Sequence, residues 1–152
     1  MLNIAICDDE DVFIKKIELI VSDYLSKRHI KFNIDSFESG LIFSNLKYDM
    51  NKYDIVFMYI NMDEMDGIET SRILRSYCPD TYLIFITAFI NYTIECYKVE
   101  AIRYILKDYD NMEGNIIEAL DTILNKMAIE NKKIRYDFVG VGKKDVCVND
   151  IV

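Results

Sequence analysis

Asp8, Asp9 and Glu10 stand in a row directly after the short apolar run Asn3-Ile4-Ala5-Ile6-Cys7. Adjacent carboxylates at a strand end are the ligands a hard divalent cation such as Mg2+ prefers, and a cation held there offsets charge on a transferring phosphoryl group. Three more polar residues each close an apolar run: Tyr59 after 53–58, Thr87 after 81–86 and Lys107 after 102–106. Acids, a hydroxyl and an ammonium together outline a cation and phosphate site. Where a nucleophilic carboxylate would complete it there is a phenol, with a reference pKa of about 10 that neighbouring acids push upward, so it cannot act as an ionised ligand or nucleophile at neutral pH.

Each of these residues has a plainer explanation on its own. Acids decorate helix N-termini, a strand-end lysine is usually solvated, a threonine ends many strands, and a tyrosine fills a core. What points to a site is that four separate strands bring polar groups to their carboxyl ends together.

The elements that must position them follow from periodicity. After the first strand, Phe13, Ile17, Ile20 and Tyr24 recur on one helical face. Residues 32–37 alternate like a strand, and Ser39-Gly40 turns into a short second helix. The run 53–60 is a buried strand, and Asp66-Gly67-Ile68-Glu69 opens a third helix with acids at its positive end. Thr81–Ile86 is a nearly continuous apolar strand, Ile90, Ile94 and Tyr97 mark a fourth helix, and Ile102–Leu106 is the fifth strand. Ile116, Ile117, Leu120, Ile123, Leu124 and Met127 mark a long last helix. Five alternating β/α units predict an α/β, doubly wound five-stranded parallel sheet of flavodoxin-like type, with its site at the strand carboxyl ends.

The 152 residues are enough for one domain with a sizeable core, and 51% are hydrophobic. No run of eighteen uninterrupted apolar residues and no signal-peptide pattern occurs, so the expected setting is cytoplasmic, with no membrane partner. The net charge of −8 argues against nonspecific DNA binding by the chain as a whole. Cys7, Cys78, Cys96 and Cys147 form no C-x-x-C pair and read as buried thiols, and His29 as a solvated side chain. Charge is uneven: residues 126–152 carry +2 and the rest −10.

The order Asp8-Asp9, Tyr59 before Met62-Asp63-Glu64-Met65-Asp66-Gly67, Thr87-Ala88, Tyr104 and Lys107 resembles the receiver domain of two-component response regulators over roughly residues 1–128. The stretch through Tyr92, Val99, Ala101 and Tyr104 to Lys107 is similar to receivers attached to LytTR-type DNA-binding domains. The resemblance implies a CheY-like fold, a sensor histidine kinase as partner, and a homodimer through the face of the fourth helix, fifth strand and fifth helix, with charges from Arg103, Asp121 and Lys126. It also implies roles. Asp8 and Asp9 would be the cation acids, Asn61 would offer its backbone carbonyl, Thr87 and Lys107 would meet the phosphoryl group, and Tyr104 would be the rotating aromatic. Tyr59 falls on the phosphoacceptor position, so phosphorylation by the family mechanism is expected to fail and Mg2+ to bind Asp8 and Asp9 only weakly. The Tyr59 ring is expected to fill the cation pocket with its hydroxyl bonded to Asp8, Asp9 or Lys107. Asp63 and Asp108 stand where the family has proline, and the bond before the second is often cis, a geometry expensive without proline.

Residues 129–152 are expected to be a linker and the start of a truncated LytTR-type domain, with 134–139 and 145–148 forming a β-hairpin around Gly140–Lys144. DNA contact would need the remainder of that module. Two other readings stay open: a metal-dependent phosphohydrolase using Asp8 and Asp9, which lacks an aspartyl nucleophile, and a flavodoxin-like cofactor binder, which lacks a Gly- or Ser/Thr-rich phosphate loop after the first strand. The expected role is therefore not enzymatic.

Overall fold

The computed structural model describes residues 1–88, 93–108 and 110–140. Its elements in chain order are β1 (Leu2–Cys7), α1 (Asp11–Lys27), β2 (Phe32–Phe37), α2 (Gly40–Ser44), β3 (Ile55–Tyr59), α3 (Gly67–Tyr77), β4 (Tyr82–Thr87), α4 (Thr93–Lys98), β5 (Arg103–Leu106) and α5 (Met112–Gly140), with a 3-10 turn at Lys47–Lys52. The five strands form one parallel sheet in the order β2-β1-β3-β4-β5. Parallel neighbours need crossover connections, and each α-helix or helical turn between strands supplies one.

Side chains alternate across a strand, so the sheet builds two cores. Leu2, Ile4 and Ile6 of β1, Ile55 and Phe57 of β3, and Ile84 and Ile86 of β4 pack against Ile14, Ile17 and Val21 of α1 and Ile116, Leu120 and Ile123 of α5. Their neighbours Ala5, Cys7, Val56, Met58, Leu83 and Phe85 join Phe43, Ile68, Leu74, Cys96 and Val99 on the opposite face. Burial on both faces is why these strands read as continuous apolar runs. Cys7, Cys78 and Cys96 are buried free thiols, and no described helix is long and apolar enough to cross a membrane.

Two expectations fail. Residues 134–139 do not begin a hairpin: α5 runs on through Gly140, and no glycine or proline between Asn115 and Val139 interrupts it. The second expected strand, 145–148, lies outside the described residues. The apolar stripe assigned to the fourth helix also does not face inward. Ile94 and Tyr97 are exposed, and α4 docks through Cys96 and the following Val99. Ile90 and Tyr92 lie outside the described residues.

Candidate functional site

β1 and β3 are neighbours while β1 also pairs with β2, so the chain reverses its direction of spread between them. The crevice beyond their carboxyl ends is where such sheets bind ligands. Asp8 is the first residue past β1, Tyr59 the last of β3, Thr87 the last of β4 and Lys107 the first past β5. The Lys107 N–H donates to the Thr87 carbonyl at 2.7 Å, extending the β4–β5 ladder by one rung and fixing where the lysine leaves the sheet. Gly67 lets the β3–α3 loop fold back tightly: a Cβ there would lie 2.1 Å from the Tyr59 carbonyl oxygen.

Lys107 is the centre of the arrangement. Its ammonium lies 3.0 Å from Asp8 Oδ2 and 3.1 Å from Glu10 Oε1. It also sits 3.3 Å from the centroid of the Tyr59 ring and 4.0 Å from that of Phe13, a cation–π pair on each side. The side chain is 4% exposed, so the solvated strand-end lysine is instead a buried cation enclosed by two carboxylates and two aromatic faces.

Asp8 is buried, and its Oδ1 accepts the Glu10 backbone N–H at 2.9 Å. Burial pushes its carboxyl above the usual aspartate range, opposed by that N–H and by Lys107. Tyr59 is 8% exposed, and burial followed by the charges of Glu10, Asp8 and Asp9 pushes its phenol up to about 12. Of the three acids, Glu10 exerts the largest charge effect on the phenol, and it was not among the partners foreseen for the hydroxyl. What sequence reasoning missed is the contact of Glu10 and Phe13 with Lys107. Both were visible as an acid after a strand and a helix-face aromatic, but nothing in their spacing indicated contact with Lys107.

Thr87 donates to the Asn61 side-chain oxygen at 3.3 Å, tying the end of β4 to the β3–α3 loop. Tyr104 is half-buried against the second core, on the strand leading to Lys107. Asp108 follows Lys107 with no cis peptide bond among the described residues. Its carboxylate accepts from Asn111 Nδ2 at 2.9 Å and Asp110 N–H at 2.8 Å, bonds that hold it below the usual aspartate range and start α5. An aspartate here thus builds an Asx turn in place of a proline bend.

Two of the charges expected at a dimer face have partners within the molecule. Arg103 is bound within the molecule to Glu118 at 2.8 Å, and Asp121 faces α1, where it takes the Tyr24 hydroxyl and sits 3.7 Å from Arg28. Both are paired within the molecule while staying part-exposed.

The acids Asp8, Asp9 and Glu10 can bring one oxygen each within 4.8 Å of one another. Mg2+ demands near-octahedral oxygen ligation at about 2.0–2.1 Å. Asp8 and Glu10 are already paired with Lys107, and the third acid, Asp9, is exposed. As folded, this donor set does not fit a resident magnesium ion.

Comparison with known proteins agrees with the geometry. Residues 4–133 match the family described as the response regulator receiver domain. Protein MrkE of Klebsiella pneumoniae is 32% identical over 124 residues, 80% of this chain and 44% of that protein. Transcriptional regulatory protein YpdB of Escherichia coli strain K12 is 32% identical over 102 residues, 66% of this chain and 40% of that one. Sensory transduction protein LytT of Bacillus anthracis is 32% identical over 121 residues, 79% and 46% respectively. The chain therefore spans less than half the length of these relatives. Among solved structures, the response regulatory domain of mrkE from Klebsiella pneumoniae superposes with a TM-score of 0.70 at 26% identity, covering 82% of this chain and 97% of that one. The REC domain of AraT from Geobacillus stearothermophilus gives 0.71 at 21% identity over 85% and 97%, a likeness of fold. With the strand order, the crevice and the match over 4–133 in agreement, the chain belongs to the response regulator receiver domain family.

Proposed function

We propose that this receiver serves a LytTR-type transcriptional regulator and signals without aspartyl phosphorylation, because Tyr59 occupies the acceptor position and its ring closes the pocket. The observation that carries this reading is the Lys107 ammonium seated 3.3 Å from the Tyr59 ring centroid. A receiver's lysine engaged in that way has no acceptor carboxylate to serve. Phosphoryl transfer depends on an in-line nucleophile and on charge neutralisation at the transferring group. A phenol pushed up to about 12 offers no such nucleophile at neutral pH, and two of the three acids after β1, Asp8 and Glu10, are turned to Lys107.

Its role is signalling rather than turnover. The partners in this reading are a sensor kinase or another input protein, an output DNA-binding module, and a second copy of the chain. A cofactor binder on the same fold is disfavoured by the turn after β1, whose three acids would repel a ligand phosphate. The two carboxylates of a phosphohydrolase would lack a nucleophile beside them.

Incubation with acetyl phosphate and Mg2+, followed by intact-mass measurement, tests the reading. The chain is expected to gain no acid-labile phosphoryl group, whereas Tyr59→Asp is expected to gain one. Labelling of the unsubstituted chain would overturn the proposal.

A further inference from the structure

We propose that Glu10 is the latch of this crevice, a surface carboxylate that clamps Lys107 from the solvent side and bars anions from reaching it. The inference rests on the reading of Tyr59 as a closed acceptor position and names the group that completes the closure.

Three of the four groups around Lys107 are held by the fold. Asp8 is buried with one oxygen fixed by a backbone N–H, Tyr59 is the buried last residue of β3, and Phe13 is packed against the first core. Glu10 differs. Its side chain is 48% exposed, against 2% for Asp8. Its backbone is anchored, with the N–H on Asp8 Oδ1 at 2.9 Å and the carbonyl accepting from Phe13 and Ile14 at 3.0 and 3.1 Å. The residue is thus a fixed pivot with a half-exposed arm. The arm reaches from the end of β1 to the end of β5, because its carboxylate accepts from the Lys107 ammonium at 3.1 Å, the same ammonium that lies over the Tyr59 ring.

The two ion pairs of Lys107 are unequal. A buried pair is costly to break because it strands a desolvated charge, whereas releasing a half-exposed carboxylate returns it to water at a smaller cost. Of the two acids, Glu10 is the one that an incoming oxyanion must displace. It acts through Lys107 and is a positioning residue.

The test uses the full chain labelled with 15N, following the side-chain ammonium resonance of Lys107, assigned by its loss in Lys107→Met, with sulfate as the probe. In the unsubstituted chain the resonance is expected to persist and to ignore added sulfate. In Glu10→Gln its exchange with water should quicken about two- to fivefold and its position should shift saturably with sulfate. Glu10→Ala provides the same measurement should the glutamine retain the clamp by hydrogen bonding. Asp11→Asn, which removes the same charge one residue away from a group paired with Lys15, should leave both readouts unchanged. Sulfate-insensitive resonances in both Glu10 variants, or an equal response in Asp11→Asn, would overturn the latch. Labelling by acetyl phosphate would instead overturn the reading of Tyr59, and the sulfate response would still report on Glu10.

Discussion

At the scale of single residues, the crevice is a problem of charge taken out of water. Asp8 and Lys107 are both almost fully buried, and each is tolerable because the other is there. Lys107→Met would keep the apolar stem between the Tyr59 and Phe13 rings but leave Asp8 without its cation. At pH 7.5 the substitution is expected to cost about 3–5 kcal/mol in urea unfolding. Burial already raises the Asp8 carboxyl, and losing Lys107 removes a group that holds it down. A carboxyl raised above its unfolded value gives stability that is present at low pH and lost as pH rises through the folded value. The deficit of Lys107→Met against the parent should therefore shrink between pH 7.5 and pH 5, and a constant deficit would show that Asp8 is not the stranded charge. Asp8, Tyr59, Thr87 and Lys107 were legible as site residues because each is a polar stop at the end of an apolar run. The Glu10–Lys107 ion pair was not, since it depends on side-chain rotamers that no residue spacing encodes.

At the scale of elements, the strands were readable because two-sided burial writes itself as unbroken apolar runs, and the order of β/α units left few topologies open. Surfaces carrying weaker signals were misread. Ile94 and Tyr97 share a helical spacing with Ile90, but a six-residue helix needs few inward contacts, and Cys96 and Val99 provide them. The base of α4 is held instead by Arg75, at the end of α3. Its guanidinium donates to the carbonyls of Val99 at 2.7 Å, Thr81 at 2.6 Å and Glu100 at 3.1 Å, and also to those of Cys78 and Pro79. A lysine cannot reproduce that planar fork. Arg75→Lys is expected to destabilise the domain by about 2–3 kcal/mol. Amide exchange should accelerate first at Glu100 and Ala101, whose N–H groups close the turn after α4 onto Tyr97 and Cys96. Uniform acceleration across the sheet would mean that Arg75 supports the whole domain and not this turn.

At the scale of the whole molecule, the proposed pairing of two copies sets apolar area against like net charge. The proposed face of α4, β5 and α5 presents Tyr97 at 84% exposure, Ile94 at 68% and Leu106 at 36%, while Arg103 is taken up by Glu118 and Asp121 by Tyr24 and Arg28. Association there would draw on apolar area and not on charge pairs between copies. The sign of the salt effect follows. Each chain carries −8, so the long-range term between copies is repulsive, and it is screened within about 10 Å at 0.1 M salt. Sedimentation equilibrium is therefore expected to show dimerisation that strengthens as salt rises from about 50 to 300 mM, the range over which that screening tightens. Tyr97→Glu should shift the chain to monomer by placing a charge where an exposed aromatic side chain of that face would be buried. Weakening by salt would instead mark an interface made of ion pairs, and a dimer unaffected by Tyr97→Glu would place the contact on another face.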